Sequence, residues 1–396
     1  MPDKQVQTIA AINSGSSTLK FGLFSFMDPL RIILKGKIAG IGTQDCSFAI
    51  ENEEEHNDVS NPVNIDSVEK AAELLIKWLQ HLGGQYQLCG IGHRVVHGGL
   101  HYDEPVLIED KLICELEKIK SLAPLHLPDA IAIINSFKQA FPGISQVACF
   151  DTAFHKSLPF EARYYAIPRS LWSDGVVRYG FHGISCEYIY QKLKEGDDPP
   201  GSKKIIIAHL GSGSSITAIK NGHSIETTMG FSPAGGLMMN TRAGDIDPGV
   251  LIYLLKEKKM DPEQLDHILN RESGIKAVAE NELPVEKLLE KKRNDSKSRQ
   301  AIIMYCYHAR KQIGALAATM GGLDTIVFTG GIGEHSPEIR KLICSGLEFI
   351  GVALNNELND HSAATISELS APVKVHVIAT NEEVMIASHV KEYIKT

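Results

Sequence analysis

A strand, a turn made of glycine and serine, and a second strand occur twice in this chain, about half its length apart. In the first copy, Thr8–Ile12 leads into Asn13-Ser-Gly-Ser-Ser-Thr-Leu-Lys20 and resumes at Phe21–Phe24. In the second, Ile205–Ile207 leads through His209-Leu-Gly-Ser-Gly-Ser-Ser215 into Ile216–Ile219, closed by the hairpin signal Asn221-Gly222. Ser14-Gly-Ser-Ser17 and Ser212-Gly-Ser-Ser215 are identical and 198 positions apart. Glycines let a ligand approach the backbone and serines add hydroxyl donors, a pairing that suits phosphate groups. Two ordinary hairpins are the plain explanation. A duplicated domain with a ligand cleft between the copies is the sharper one.

Composition narrows the function classes. A chain of 396 residues predicts two or three domains, with an ordinary globular balance of 43% hydrophobic and 22% charged residues. The net charge of -8 argues against a nucleic-acid partner, so an anionic ligand would need a local basic site. Seven scattered cysteines without a C-x-x-C pair indicate neither a disulfide frame nor a zinc knuckle, and fit a reducing compartment. The start has no signal-peptide core and no apolar run reaches about 18 residues, so a cytoplasmic protein without a membrane partner is expected.

Along the chain, strands are expected over 8–12, 21–24, 31–36 and 47–50, then an exposed loop over 51–64. Asp66 and Glu69 have capping-box spacing ahead of a helix with Val68, Ala71, Ala72, Leu75 and Leu79 on one face. A strand over 88–97, a loop over 123–128, a helix over 129–141 and a strand over 146–150 follow, with Asp151 just past that strand's end. Polar groups at such ends commonly face ligands. The pattern restarts after 151: a helix over 186–193, a loop over 196–202, the second hairpin, and a long loop from Thr228 to Pro248 too apolar for disorder. Helices are expected over 249–259, 262–270 and 299–320, the last stopped by Gly321-Gly322. A strand over 325–328, a helix opened by Ser336-Pro337, a strand over 374–378 and a helix over 380–394 complete the chain.

Eight segments, in order and spanning the chain, resemble the acetate kinase family of the actin-like (ASKHA) superfamily. They are Asn13–Lys20, His93-Arg-Val-Val-His-Gly-Gly99, Phe150-Asp-Thr-Ala-Phe-His155, Arg178-Tyr-Gly-Phe-His-Gly183, Thr228-Met-Gly-Phe231, Thr241–Pro248, Phe328-Thr-Gly-Gly-Ile-Gly-Glu334 and Thr380-Asn-Glu-Glu383. The resemblance implies an α/β fold of duplicated actin-like, ribonuclease H-like domains with a catalytic cleft between them. The domains would be 1–150 plus 384–396, the acceptor and dimer side, and 151–383, the nucleotide side, each with a mixed five-stranded sheet. It also implies a homodimer. The reaction would move the γ-phosphoryl group of ATP reversibly onto acetate by direct in-line transfer, giving acetyl phosphate and ADP. A carboxylate is already ionised at neutral pH and needs no general base; the task is to bring two anions together and stabilise the spreading charge.

The same resemblance assigns roles by position. Arg94 and Arg242 would flank the acceptor and the transferring group, since guanidinium stays charged and offers a fork of donors. His182 would donate to a phosphoryl oxygen, and Asp151 would be the essential acid that orients Arg94 or metal-bound water. Asn13 and Glu382 match the Mg²⁺ positions, with Mn²⁺ as an alternative, and oxygen ligands suit a hard cation. Lys20, Ser16, His209, Leu210, Gly211, Ser212 and Gly213 would contact ATP, as would Gly330, Gly331, Ile332, Gly333 and Glu334. Val96, Leu125, Phe181 and Pro233 would wall a small acyl pocket, with His126 near the acceptor. Each arginine also fits a structural ion pair, each histidine a satisfied imidazole, and the four apolar residues plain core. His93 and His97 share a strand face at i and i+4, but no third ligand type accompanies them, so a metal there is not expected.

The sequence departs from the family at His126-Leu-Pro128, where asparagine usually follows histidine, and at Ser212, where asparagine usually stands. It also departs over Ala277–Pro284, which lacks the acidic-x-arginine element of the adenosine pocket, and at Gly333-Glu-His335. The phosphoryl-transfer residues are kept and the adenosine contacts are not. Acetate with ATP, propionate or another short acid with ATP, and a pyrophosphate donor are therefore all open. A nucleotide-gated actin-like binding protein is the non-enzyme alternative.

Overall fold

The computed structural model describes residues 5–15, 17–52, 58–196 and 203–395. The chain divides into two units, Met1–Phe154 with Asn381–Thr396, and His155–Thr380. Glu382 thus falls in the first unit with the helix it opens.

Unit 1 is built on β1 (Val6–Ser14), β2 (Thr18–Ser25), β3 (Arg31–Ala39), β4 (Ser47–Asn52), β5 (Asp58–Pro62), β6 (Tyr86–Val95), β7 (Val106–Leu107) and β8 (Ser145–Phe150). They form one sheet in the order β5-β4-β3-β2-β1-β6-β8-β7. Strands β1 to β5 are an antiparallel meander, whereas β1, β6 and β8 run parallel. Unit 2 holds β9 (Lys204–Leu210), β10 (Ser214–Lys220), β11 (His223–Thr227), β12 (Thr325–Thr329) and β13 (Lys374–Val377), in the order β11-β10-β9-β12-β13. Here β9, β12 and β13 are parallel, and β10 and β11 antiparallel. The set β3-β2-β1-β6-β8 therefore repeats β11-β10-β9-β12-β13 in order and sense.

The duplication is in the topology and not in the matching letters. Ser14 still belongs to a strand and pairs with Leu19, whereas Ser212 lies in the turn between the paired Leu210 and Ser214. The identical tetrapeptides occupy different places in the two hairpins. The Asn221-Gly222 turn forms as expected, with both φ angles positive at 53° and 82°.

Five strands hold for unit 2 only, because unit 1 adds β4, β5 and β7 around its repeated set. The loop expected over 51–64 contains β5, which pairs with β4 although Asp58-Val-Ser-Asn-Pro62 has no apolar alternation to announce it; residues 53–57 lie outside the described residues. The first helix is capped by Ser67, whose hydroxyl accepts from Lys70 N, while Asp66 pairs with the Lys70 ammonium at 2.6 Å. The cap is therefore one residue later than the Asp66–Glu69 spacing indicated. The loop expected over 123–128 ends at His126: the next helix is Leu127–Ala140, and Pro128 sits in its first turn, where no N–H is missed. Of the expected loop 196–202, residues 197–202 are outside the described residues.

Two glycines fix the last helix, Glu382–Lys395, against the unit 1 sheet. A Cβ at Gly90 would stand 2.2 Å from Ile394, and one at Gly92 2.3 Å from Ile386, so β6 admits that helix only where it has no side chains. Ile386 and Val390 are fully buried as a result. Unit 2 is organised around the 25-residue helix Ser296–Met320, which buries Ala301, Tyr305, Ala309, Ile313, Leu316 and Met320 and ends on Gly321 at φ 71°. The segment from Thr228 to Asp247 is neither helix nor strand, and it is held by buried Met229, Leu237, Met238 and Met239. No helix of the described residues is long and apolar enough to cross a membrane.

Candidate active site

In unit 1 the parallel strands β1, β6 and β8 end side by side, and each delivers one polar side chain. Asn13 comes from the end of β1, Arg94 from the end of β6, and Asp151 follows β8. Arg94 binds Asp151 in a fork: Nε to Oδ1 at 2.9 Å and a terminal nitrogen to Oδ2 at 2.6 Å. Its other terminal nitrogen donates to the Ser14 carbonyl at 3.1 Å and to Asn13 Oδ1 at 3.3 Å. Asn13 Nδ2 then donates to Glu382 Oε2 and Glu383 Oε1, both at 2.8 Å. Glu382 Oε2 is 4.0 Å from Arg94 Nε. Three carboxylates thus share one guanidinium. Burial works against the charged guanidinium, yet Asp151, Glu382 and Glu383 hold its pKa above the ordinary value. Burial likewise pushes the Asp151 carboxyl upward, with Arg94 opposing and Glu382 adding to the shift.

The excess of buried carboxylate is the kind of oxygen-donor set a hard divalent cation takes. Among the described residues no group of three or more His, Cys, Asp or Glu could hold an ion unaided. Mg²⁺ is usually held by one or two carboxylates with the remaining ligands from water and phosphate. Glu382 fits that role directly. Asn13 turns its amide nitrogen to the glutamates and its oxygen to Arg94, so in this arrangement it positions the carboxylates.

In unit 2 the equivalent strand ends carry glycines. After β9 the turn Gly211–Gly213 is closed by Gly211 N bonding to the Gly213 carbonyl at 3.0 Å, and Ser214 Oγ ties the turn to Tyr305 at 3.1 Å. After β12 the segment Gly330–His335 folds against it. A Cβ on Gly330, at φ 75°, would stand 2.7 Å from the Leu210 carbonyl, whereas one on Gly331 would meet nothing within 4 Å. Gly331 is exposed. Glu334 Oε1 accepts from Gly330 N at 2.8 Å and Thr380 N at 3.1 Å, so this carboxylate shapes the loop.

His182 precedes the helix Gly183–Glu195 in a left-handed conformation, φ 58°, which swings its ring over β9. Its Nδ1 meets Ser215 Oγ at 3.0 Å, and the ring stacks on His209 with centroids 4.3 Å apart. His209 Nδ1 bonds Ser185 Oγ, which continues to Thr380 Oγ1 at 2.8 Å. The stack and the Ser215 contact leave Nε2 directed toward Gly213: a Cβ there would lie 3.4 Å from it and 3.7 Å from a terminal nitrogen of Arg242. One side-chain-free position therefore has an imidazole nitrogen and a guanidinium beside it. Arg242 is brought there by a tight turn, Met239 N to Arg242 O at 3.0 Å, against which Gly274 packs at φ 69° with no room for a Cβ.

The other expected residues are distributed as follows. Val96 is buried, and Leu125 and His126 are half-buried, all in unit 1. Phe181 is buried, and Pro233 is half-buried with its carbonyl accepting from Arg242 at 3.1 Å, both in unit 2. Lys20 is exposed and stands opposite Asn13 across β1–β2. Ser16 lies outside the described residues. His93 bonds Gln146 at 2.8 Å, and burial lowers its pKa to about 4, so it is a neutral structural group. His97 lies past the end of β6, so the two histidines do not share a strand face. In unit 2, His155 bonds Phe181 O and Ser224 Oγ, and burial lowers its pKa to about 4.

Sequence reasoning missed Glu383, Ser185, Ser215 and Thr380. Glu383 was legible as the second acid of Thr380-Asn-Glu-Glu383. The three hydroxyls carry no signal of their own until the strands are paired.

Comparison with known proteins places the chain in a family. The profile of the acetokinase family matches residues 8–388. The acetate kinase of Methylocella silvestris is 38% identical over 395 residues, covering 96% of each chain. Among solved structures, the Porphyromonas gingivalis acetate kinase superposes with a TM-score of 0.86 at 32% identity, covering 98% of this chain and 100% of that one. A propionate kinase from Francisella tularensis subsp. tularensis SCHU S4 gives 0.90 at 33% identity, covering 98% and 99%.

Proposed function

The chain is a member of the acetokinase family, a phosphotransferase with a carboxyl group as acceptor, and we propose that it moves the γ-phosphoryl group of ATP reversibly onto acetate. Its duplicated units have the actin-like, ribonuclease H-like fold. The observation that carries the proposal is the pair of groups beside Gly213, His182 Nε2 and Arg242, with the glycine segments Gly211–Gly213 and Gly330–Gly333 at the ends of two parallel strands. Backbone N–H groups at Ser212–Gly213 and at Gly331 bind the phosphates of the donor, while those of Gly211 and Gly330 close the two turns. His182 and Arg242 stabilise the negative charge that spreads over the transferring group, which is where fixed donors contribute most. The acceptor arrives as a carboxylate, so no side chain has to remove a proton. Arg94, held in one orientation by Asp151, binds that carboxylate, and Val96, Leu125 and His126 of the same unit limit its chain length. A Mg²⁺ or Mn²⁺ ion, when bound, supplies charge neutralisation to the donor's phosphates; Glu382 and Asp151 would hold it, positioned by Asn13. Lys20, exposed opposite Asn13, offers a further cation to phosphate.

The test is to incubate the protein with ATP, Mg²⁺ and acetate in the presence of hydroxylamine, which traps acyl phosphate as hydroxamate. Hydroxamate formation is expected. Product with propionate alone would move the assignment to a propionate kinase, product with pyrophosphate alone would replace the donor, and no product with any short acid would contradict the proposal.

The chain is also proposed to pair with a second copy. The helix Pro248–Lys256 is strongly apolar yet buries none of its residues, with Ile252 and Tyr253 each 51% exposed, which favours a pairing face on unit 2 and not on the 1–150 side that the resemblance implied. Light scattering should report a dimer at micromolar concentration; a monomer would contradict it. Seven free cysteines support a reducing, cytoplasmic setting.

A further inference from the structure

Arg340, on the helix Pro337–Cys344, is fully buried and none of the chemistry above uses it. Its five N–H donors are all engaged. Nε donates to Asn359 Oδ1 at 2.9 Å, and one terminal nitrogen donates to the carbonyls of Gly333 and Glu334 at 2.8 and 2.9 Å. The other donates to the Asn359 carbonyl at 2.8 Å and to Ser362 Oγ at 2.9 Å. No carboxylate is among these partners. Asn359 is itself buried and donates to the Pro337 carbonyl at 2.9 Å.

A buried guanidinium whose hydrogen bonds all go to neutral acceptors, with the Asp360 carboxylate acting on it only through its charge, is costly, and a core position seldom keeps one for packing alone. The acceptors show what this guanidinium is for. Gly333 and Glu334 close the segment Gly330–His335, whose other end is fixed by Gly330 against Leu210 and by the Glu334 carboxylate on Gly330 N. The exposed Gly331 lies between these anchors. A planar guanidinium holds two carbonyls and the Asn356–Asp360 helix in one rigid frame, which the point charge of lysine, with three donors, cannot do.

We propose that Arg340 is a positioning residue for the phosphoryl donor: it fixes the carbonyl end of Gly330–Glu334 so that the open backbone at Gly331 is preformed for phosphate. This rests on the assignment of that segment to the donor. The R340K variant should raise the KM for ATP about tenfold, the equivalent of one hydrogen bond to a charged group, with kcat at saturating ATP and the KM for acetate within about twofold. Asn359→Ala, which removes the acceptor of Arg340 Nε and loosens the same frame, should raise the KM for ATP in the same direction by a smaller factor and lower the melting temperature. A wild-type KM for ATP in R340K, or equal rises for both substrates, would overturn the proposal. Should R340K not fold, hydrogen exchange on the ligand-free wild-type protein decides: slow exchange across 330–335 is expected, and fast exchange overturns it. Calorimetry with ADP separates the two levels. No ADP binding by the wild-type protein defeats the donor assignment itself, whereas equal binding by wild type and R340K defeats only the role of Arg340.

Discussion

The two units use one strand order and put opposite chemistry at its end. In unit 1 the tips of β1, β6 and β8 carry Asn13, Arg94 and Asp151, joined by Glu382 and Glu383 into one largely buried hydrogen-bonded network. In unit 2 the tips of β9 and β12 carry Gly211–Gly213 and Gly330–Gly333, where a Cβ would often meet a neighbour and Gly331 meets none. Duplicated topology therefore conserves the location of a site while leaving its sign free. The first set is acidic in excess and suited to a cation. The second offers backbone N–H groups, His182 and Arg242, and is suited to phosphate. The charge of each set also predicts how it fails: removing a member of the first leaves buried charge unpaired, and removing a member of the second empties a ligand contact.

The sharpest way to break this contrast is to truncate one arginine in each unit. Arg94→Ala and Arg242→Ala should each lower kcat by roughly 10²–10³, as loss of one charge-stabilising donor does. They should differ in stability. Arg94→Ala leaves three carboxylates without their cation and should cost about 3–5 kcal/mol in chemical denaturation, whereas Arg242→Ala should cost about 1–2 kcal/mol. Equal stability losses would erase the distinction. Next, Gly213→Ala places a methyl between His182 Nε2 and Arg242 and should lower kcat up to ~100-fold without changing the denaturation midpoint. Normal turnover would mean that the space beside Gly213 is not where the reaction occurs.

A smaller effect sharpens the cation side. Glu382→Gln should raise the Mg²⁺ concentration for half-maximal activity by at least ~10-fold while leaving the KM for ATP·Mg at saturating metal nearly unchanged; an unaltered metal requirement would remove Glu382 from that role. The smallest effect is shared by both units. His93 and His155 are neutral when folded, with pKa lowered by burial to about 4, and the unfolded chain takes up protons first, near pH 6.5. Stability is therefore complete above pH 6.5 and is lost as pH falls toward 4, by up to about 3 kcal/mol per imidazole. Denaturation midpoints that stay level from pH 7 to 5 would contradict their burial in the neutral form.

Particular residues show what the sequence could and could not reveal. Asn221-Gly222 announced a turn because only a few residue types accept two positive φ angles. The tetrapeptide repeat pointed to duplication for an accidental reason, since Ser14 and Ser212 sit at different places in their hairpins. The strand β5 was hidden because an edge strand of Asp, Ser, Asn and Pro gains its place only from pairing with β4. Single polar residues at strand ends, Asn13 and Asp151, were readable; that Glu383 and Asn13 would share a hydrogen bond across 370 positions was not. Gly274 shows the same limit, since its role in holding the Arg242 turn depends on a backbone 32 positions earlier.

The most direct test of the assignment is a single-turnover measurement with Arg242→Ala, with ADP affinity determined alongside. If the guanidinium acts on the transferring phosphoryl group, ADP should bind as in the wild-type protein, because the glycine turns are intact, while acyl phosphate forms at least ~100-fold more slowly. Transfer at the wild-type rate, or a loss of rate explained wholly by lost ADP binding, would contradict the account.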